Sequence, residues 1–189
     1  MTLAPASKPL VLGIAGGSGS GKTSFAAALV EHLRPLKTAV ISTDGFFKRP
    51  LPTMVSPVSG KTYDDWNSPD AIDIDRLLEA VDGLLVSDAS VVIIEGLSVF
   101  CFDALLKLMD LKVFIDLPSD ERMYRRIRRN MKMWDVSMEE VADYYLEAAK
   151  FAEEKHFLPT RVKADMIVNG YVSYDRPLAL IDAWVKAQS

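Results

Sequence analysis

Eight consecutive residues, Gly16-Gly17-Ser18-Gly19-Ser20-Gly21-Lys22-Thr23, have types and spacing that suit the holding of phosphate. They fit G-x-x-x-x-G-K-[ST], the P-loop pattern. Glycines and serines through positions 16–21 let successive backbone N–H groups curl around an anion with no bulky side chain in the way. Lys22 adds a point charge for the outer phosphates, the Thr23 hydroxyl is of the kind that ligates Mg²⁺, and Ser24 continues the same phosphate-holding run.

Two carboxylates follow at matching places. Asp44 stands after a short apolar run in Thr43-Asp44-Gly45. There it is either the base that takes the proton of an attacking hydroxyl in phosphoryl transfer or a turn residue bonding its own backbone. Glu95 closes Val91-Val92-Ile93-Ile94-Glu95, where it either holds Mg²⁺, directly or through water, or ends the strand in solvent. Five arginines fall within eight residues, at 122, 125, 126, 128 and 129. Like charges three or four apart destabilise a helix by a few tenths of a kcal/mol, roughly, per pair. Phosphate oxygens would offset that, and a solvated basic face is the alternative. His32 and His156 have no Cys or His at ligand spacing, so no zinc site is expected.

The elements that must position these groups are legible from periodicity. Leu10 to Ala15 reads as a buried strand, and Phe25, Leu29 and Leu33 as one face of the helix that aims its positive end at the loop. Further strands are expected at 38–42, 91–94, 111–117 and 164–168. Helices are expected at 72–85, 102–109, through Met123 to Trp134, at 138–156 with Val141, Tyr145, Ala148 and Ala152 inward, and at 176–187. Strands alternate with helices and no hairpin signal is found, so the expectation is α/β: a five-stranded parallel sheet with helices on both faces. Ligands in such sheets bind outside the carboxyl ends of the strands. The P-loop, Asp44 and Glu95 all fall there.

Residues 46–69 break every period with Pro50, Pro52, Pro57, Gly60 and Pro69, and carry Phe47, Tyr63 and Trp66 beside Asn67. A loop of that length in a compact domain is usually functional, and the aromatics make it a candidate substrate lid. The 189 residues read as one domain with no linker or repeat. A net charge of −4 argues against a nucleic-acid footprint and for a small-molecule partner. A lone Cys101, read as a small core residue, forms no internal disulfide and fits a reducing compartment. With no leader pattern and no run of about 20 apolar residues, a cytoplasmic protein with no membrane partner is expected. Oligomeric state is left open.

In order along the chain, residues 13–23, Ser42-Thr43-Asp44-Gly45-Phe46-Phe47, Ser68-Pro69-Asp70-Ala71-Ile72-Asp73, Ile94-Glu95-Gly96, Arg125-Arg126-Ile127-Arg128-Arg129, Leu158-Pro159-Thr160 and Ala164-Asp165-Met166-Ile167-Val168 resemble the uridine kinase and phosphoribulokinase family of P-loop kinases. The resemblance implies a three-layer P-loop NTPase fold with an arginine-rich lid at 119–135, ATP and Mg²⁺ as cofactors, and transfer of the γ-phosphate to a primary hydroxyl of a nucleoside-like acceptor. It implies that Asp44 is the catalytic base and Lys22 a catalytic cation, that Thr23 and Glu95 hold the metal, and that Arg126 and Arg129 grip substrate and phosphates. Phe47, Tyr63, Trp66 and Asn67 are then the expected acceptor side, Asn67 standing where uridine kinases carry an Asp that holds the ribose. Only residues 86–90 separate helix from strand before Glu95, where uridine kinases insert a base-recognising hairpin. In that respect the chain also resembles nicotinamide riboside kinases, and Thr43 to Phe46 with Glu95-Gly96-Leu97 echoes pantothenate kinases. A reading of another class is a nucleotide-binding switch without kinase activity, although the Asn/Thr-Lys-x-Asp element of guanine-specific switches is absent.

Overall fold

Wholly apolar runs of four to six residues become the centre of a sheet, and the amphipathic stretches between them become its covering layers. In the computed structural model, which describes residues 8–188, the elements in chain order are β1 (Leu10–Gly16), α1 (Lys22–His32), β2 (Thr38–Ser42), β3 (Thr53–Val55), β4 (Thr62–Asp64), α2 (Ile74–Leu85), β5 (Val91–Gly96), α3 (Asp103–Leu106), β6 (Leu111–Asp116), α4 (Ser119–Trp134), α5 (Met138–Tyr144), α6 (Lys150–Ala152), β7 (Met166–Asn169) and α7 (Asp175–Gln188). Five strands form one parallel sheet in the order β2-β5-β1-β6-β7.

Successive residues of a strand point to opposite faces, and β1 divides the core accordingly. Leu12 and Ile14 meet Phe25 and Leu29 of α1 and Leu178, Ile181 and Val185 of α7. Val11 and Ala15 meet Leu77 and Val81 of α2 together with Phe100 and Leu105. This is the three-layer α/β fold expected from the alternation of strands and helices. Burying each such Leu, Ile or Phe contributes about 1.5–3 kcal/mol, so the sheet ends are held rigidly where the site is built.

Two expectations are corrected. Residues 46–69 are not structureless and do contain a hairpin: β3 and β4 pair antiparallel with Met54 opposite Tyr63. The turn between them closes with Ser56 N–H donating to the Lys61 carbonyl at 2.8 Å, and Gly60 takes φ +72°. Strands of three residues with exposed ends present no run for a period of two to register. The second correction concerns the helix expected over 138–156. Its helical path is interrupted by two π-helical stretches, Tyr145–Ala149 and Glu153–Phe157. Val141, Tyr145, Ala148 and Ala152 are nonetheless buried as their spacing predicts.

Candidate functional site

The P-loop links β1 to α1, and two of its glycines are obligatory. Gly19 adopts φ +83° and Gly21 φ +99°, which L side chains rarely adopt. A Cβ at Gly19 would also lie 2.6 Å from the Arg122 carbonyl oxygen. Gly21 caps α1 with no side-chain hydrogen bond, so the N–H groups of the first turn stay open to an anion. Lys22 follows, only 7% exposed. Burial holds its ammonium below the ordinary lysine range, and the nearby charges of Asp44, Glu95 and Glu153 oppose that shift.

Register brings the carboxylates alongside. Glu95 on β5 lies between Ser42 of β2 and Ile14 of β1. It is 3% exposed and accepts from the Thr23 hydroxyl at 3.2 and 3.3 Å through its two oxygens. Among the described residues no three or more His, Cys, Asp or Glu side chains group to hold a metal by themselves. Mg²⁺ commonly takes one or two carboxylates with waters and substrate phosphates, and the hard oxygen pair of Thr23 and Glu95 fits that pattern. Asp44 sits on the turn Thr43–Phe46, whose N-cap is Ser42: its hydroxyl accepts from the Asp44 N–H at 3.4 Å. The turn is therefore closed by Ser42, and the exposed Asp44 side chain lines a cleft instead.

That cleft measures about 640 Å³. Ser18, Lys22 and Thr23 line it on the P-loop side, Asp44, Phe47, Trp66 and Asn67 on another, and Arg126 and Arg129 on a third. Phe47 and Trp66 meet edge to face at 5.0 Å. Asn67, 3% exposed, donates through Nδ2 to the Tyr144 hydroxyl at 2.7 Å, and that hydroxyl donates to the Asp64 carbonyl at 3.1 Å. Tyr63 is not among the lining residues: its hydroxyl donates to Glu147 at 2.9 Å and its ring stacks edge-on to Tyr144 at 5.8 Å. It supports the wall from behind.

The arginine cluster divides by environment. Arg122 is 3% exposed and donates through Nη1 to Glu153 at 2.6 Å and through Nε to the Leu117 carbonyl at 3.0 Å, so it is committed within the protein. Arg125 donates to the Gly170 carbonyl from both terminal nitrogens at 3.4 Å. Arg128 lies over the Tyr124 ring. Arg129 reaches the Ser18 hydroxyl at 3.4 Å. Arg126 is 7% exposed with its guanidinium 5.6 Å above the Tyr144 ring, and its Nε and Nη1 are buried without hydrogen-bond partners. Burial lowers the Arg126 pKa, though the group stays charged. A buried, unpaired guanidinium is costly unless a ligand completes it. Of the five, Arg126 and Arg129 are the two that line the cleft.

Sequence reasoning missed Tyr144, Glu140 and Val141 of α5, and Asn130, Trp134 and Val136 beside them, all of which line the cleft. It also missed Glu153, which at 3.6 residues per turn falls about 100° past Ala152 and off the face of Val141, Tyr145, Ala148 and Ala152, so that periodicity gave no signal for it.

The sequence model of the Phosphoribulokinase / Uridine kinase family matches residues 79–175, just over half of the chain and including Glu95 and the arginines. The uridine kinases of Bacillus thuringiensis (strain Al Hakam) and Bacillus cereus (strain B4264) are each 29% identical over 184 residues, with 85% of this chain and 85% of theirs covered. A structure described as a possible uridine kinase from Bacillus stearothermophilus superposes with a TM-score of 0.54 at 19% identity, covering 89% of this chain and 91% of the other. The D-glycerate 3-kinase from Cryptococcus neoformans gives 0.56 at 15% identity, covering 77% and 78%. At such identities the structural likeness is one of fold.

Proposed function

The chain belongs to the phosphoribulokinase/uridine kinase family, and from that premise we propose that it transfers the γ-phosphoryl group of ATP to a primary hydroxyl of a nucleoside-like small molecule. The observation that carries this reading is the single cleft lined at once by Lys22 and Thr23, by the Asp44 carboxylate, and by Arg126 and Arg129. Phosphoryl transfer asks little covalent chemistry of the protein. Its rate comes from positioning and from charge placed where the transition state needs it.

The open N–H groups at the start of α1 and the buried Lys22 ammonium hold the phosphates of the donor. Asp44 accepts the proton of the acceptor hydroxyl as its oxygen bonds to the γ-phosphorus and the bond to the ADP oxygen breaks. Arg126 and Arg129 neutralise charge on the moving group and close the site to water. Thr23 and Glu95 are the residues that would hold Mg²⁺, which when bound supplies further neutralisation at the phosphate oxygens. Asn67 faces the acceptor with its Nδ2 already given to Tyr144, so its carbonyl oxygen is the group left to accept from a sugar hydroxyl.

ADP release from Mg-ATP tests the proposal when followed with uridine, cytidine, nicotinamide riboside, pantothenate and simple sugars. A nucleoside should turn over with the highest kcat/KM. If no alcohol consumed ATP while nucleotide still raised Tm, the site would be a switch rather than a kinase.

A further inference from the structure

Glu153 is a carboxylate in an environment that disfavours one. It is 1% exposed at the start of the stretch Glu153–Phe157. One of its oxygens accepts from the Ser18 backbone N–H at 3.1 Å, the other from Arg122 Nη1 at 2.6 Å. The Arg122 guanidinium occupies the space that a side chain at Gly17 would need, and its backbone carbonyl the space at Gly19. Arg122 thus bounds the P-loop by shape, while Glu153 takes hold of one of its peptides. Buried ion pairs are often replaceable by apolar side chains without loss of stability, so the fold alone does not require this one. A loop of glycines and serines, in contrast, has much conformational freedom to lose when it closes on phosphate. A fixed Ser18 peptide removes part of that loss in advance. Because Arg122 balances its charge, Glu153 can do this without repelling the ligand.

We propose that Glu153 is a positioning residue for the donor nucleotide: through the Ser18 N–H, with Arg122 as counter-ion, it keeps the P-loop in its phosphate-cradling form before nucleotide arrives. The inference rests on the kinase reading only in taking the ligand to be a nucleotide, and it assigns a role to a side chain that touches neither substrate nor reacting atoms.

Two double variants isolate the hydrogen bond. Arg122→Met with Glu153→Met removes pair and bond together, whereas Arg122→Met with Glu153→Gln leaves an amide oxygen for Ser18 and no unpaired charge. ADP affinity is measured by calorimetry without acceptor, with Tm recorded in parallel. The Met pair should bind ADP at least tenfold more weakly than wild type and the Gln variant within threefold of it, at similar Tm. Equal ADP affinity in the two variants would overturn the role. Should either fail to fold, amide exchange in the wild-type protein decides. Ser18 should be protected with or without ADP, while Gly19 gains protection only when ADP is added; an unprotected Ser18 in the nucleotide-free protein overturns the proposal. Wild-type protein that does not bind ADP at all would instead overturn the reading of the site on which this inference rests.

Discussion

At the scale of single residues, Asp44 and Lys22 make separable predictions. Asp44→Asn keeps size and hydrogen bonding but cannot take a proton. Turnover should fall at least about a hundredfold, the low end for a positioned acid or base, while ADP affinity stays near wild type. Near-normal kcat in steady-state assays would remove Asp44 from its role. Lys22 lies below the ordinary lysine range because burial disfavours its charge. Phosphate favours the charged form, so ADP affinity should fall as pH rises through the lowered pKa, and at a pH near or above that pKa ADP should bind with proton uptake. Calorimetry in buffers of different ionisation enthalpy reads the uptake, which Lys22→Met should abolish. The nucleotide-free protein should show the opposite dependence: the folded pKa of Lys22 lies below the unfolded one, so stability should rise with pH between the two.

At the scale of elements, α4 shows why a helix can be legible while the roles of its side chains are not. Five arginines in one run are plain in the sequence, but whether each meets a carboxylate, a carbonyl, a ring or open cleft depends on what packs against α4. Arg122 faces Glu153, a residue 31 positions away, and no local spacing encodes that meeting. Truncating one member alone leaves a buried unpaired charge. Arg122→Ala should therefore cost about 3–5 kcal/mol in urea unfolding, whereas replacing both partners by Met should recover most of the loss. The π-helical stretches carry a similar lesson. Nine residues at 3.6 per turn are two and a half turns, so an unbroken α-helix would set Tyr144 and Glu153 on opposite sides. The wider turn of Tyr145–Ala149 between them takes up an extra residue and brings both toward the site, an adjustment that an apolar periodicity of 3.6 cannot announce.

At the scale of the whole molecule, the sheet was legible because its central strands are apolar runs bounded by amphipathic helices, and the P-loop, Asp44 and Glu95 came together because all three leave carboxyl ends of parallel strands. The wall carrying Phe47, Trp66 and Asn67 was less so, since β3 and β4 are too short to show a period and their links to the helix of Tyr144 are single hydroxyl contacts. Those links join two walls of the cleft: Asn67 and Asp64 bond Tyr144, and Tyr63 bonds Glu147. Tyr144→Phe removes two of these bonds and should raise KM for the acceptor by about three- to tenfold, as expected of roughly 1 kcal/mol, with KM for ATP unchanged; parallel KM measurements check it. The strand order has a further consequence, in time rather than in space. β1 and β2 follow one another in sequence yet are not neighbours, because β5 lies between them. A chain folded only through α2 would hold the P-loop and Asp44 on two strands with an empty lane between. On the proposed reading, the site is thus aligned only once β5 (Val91–Gly96) is inserted, and a chain ending before it can neither align the two reactants nor spend ATP.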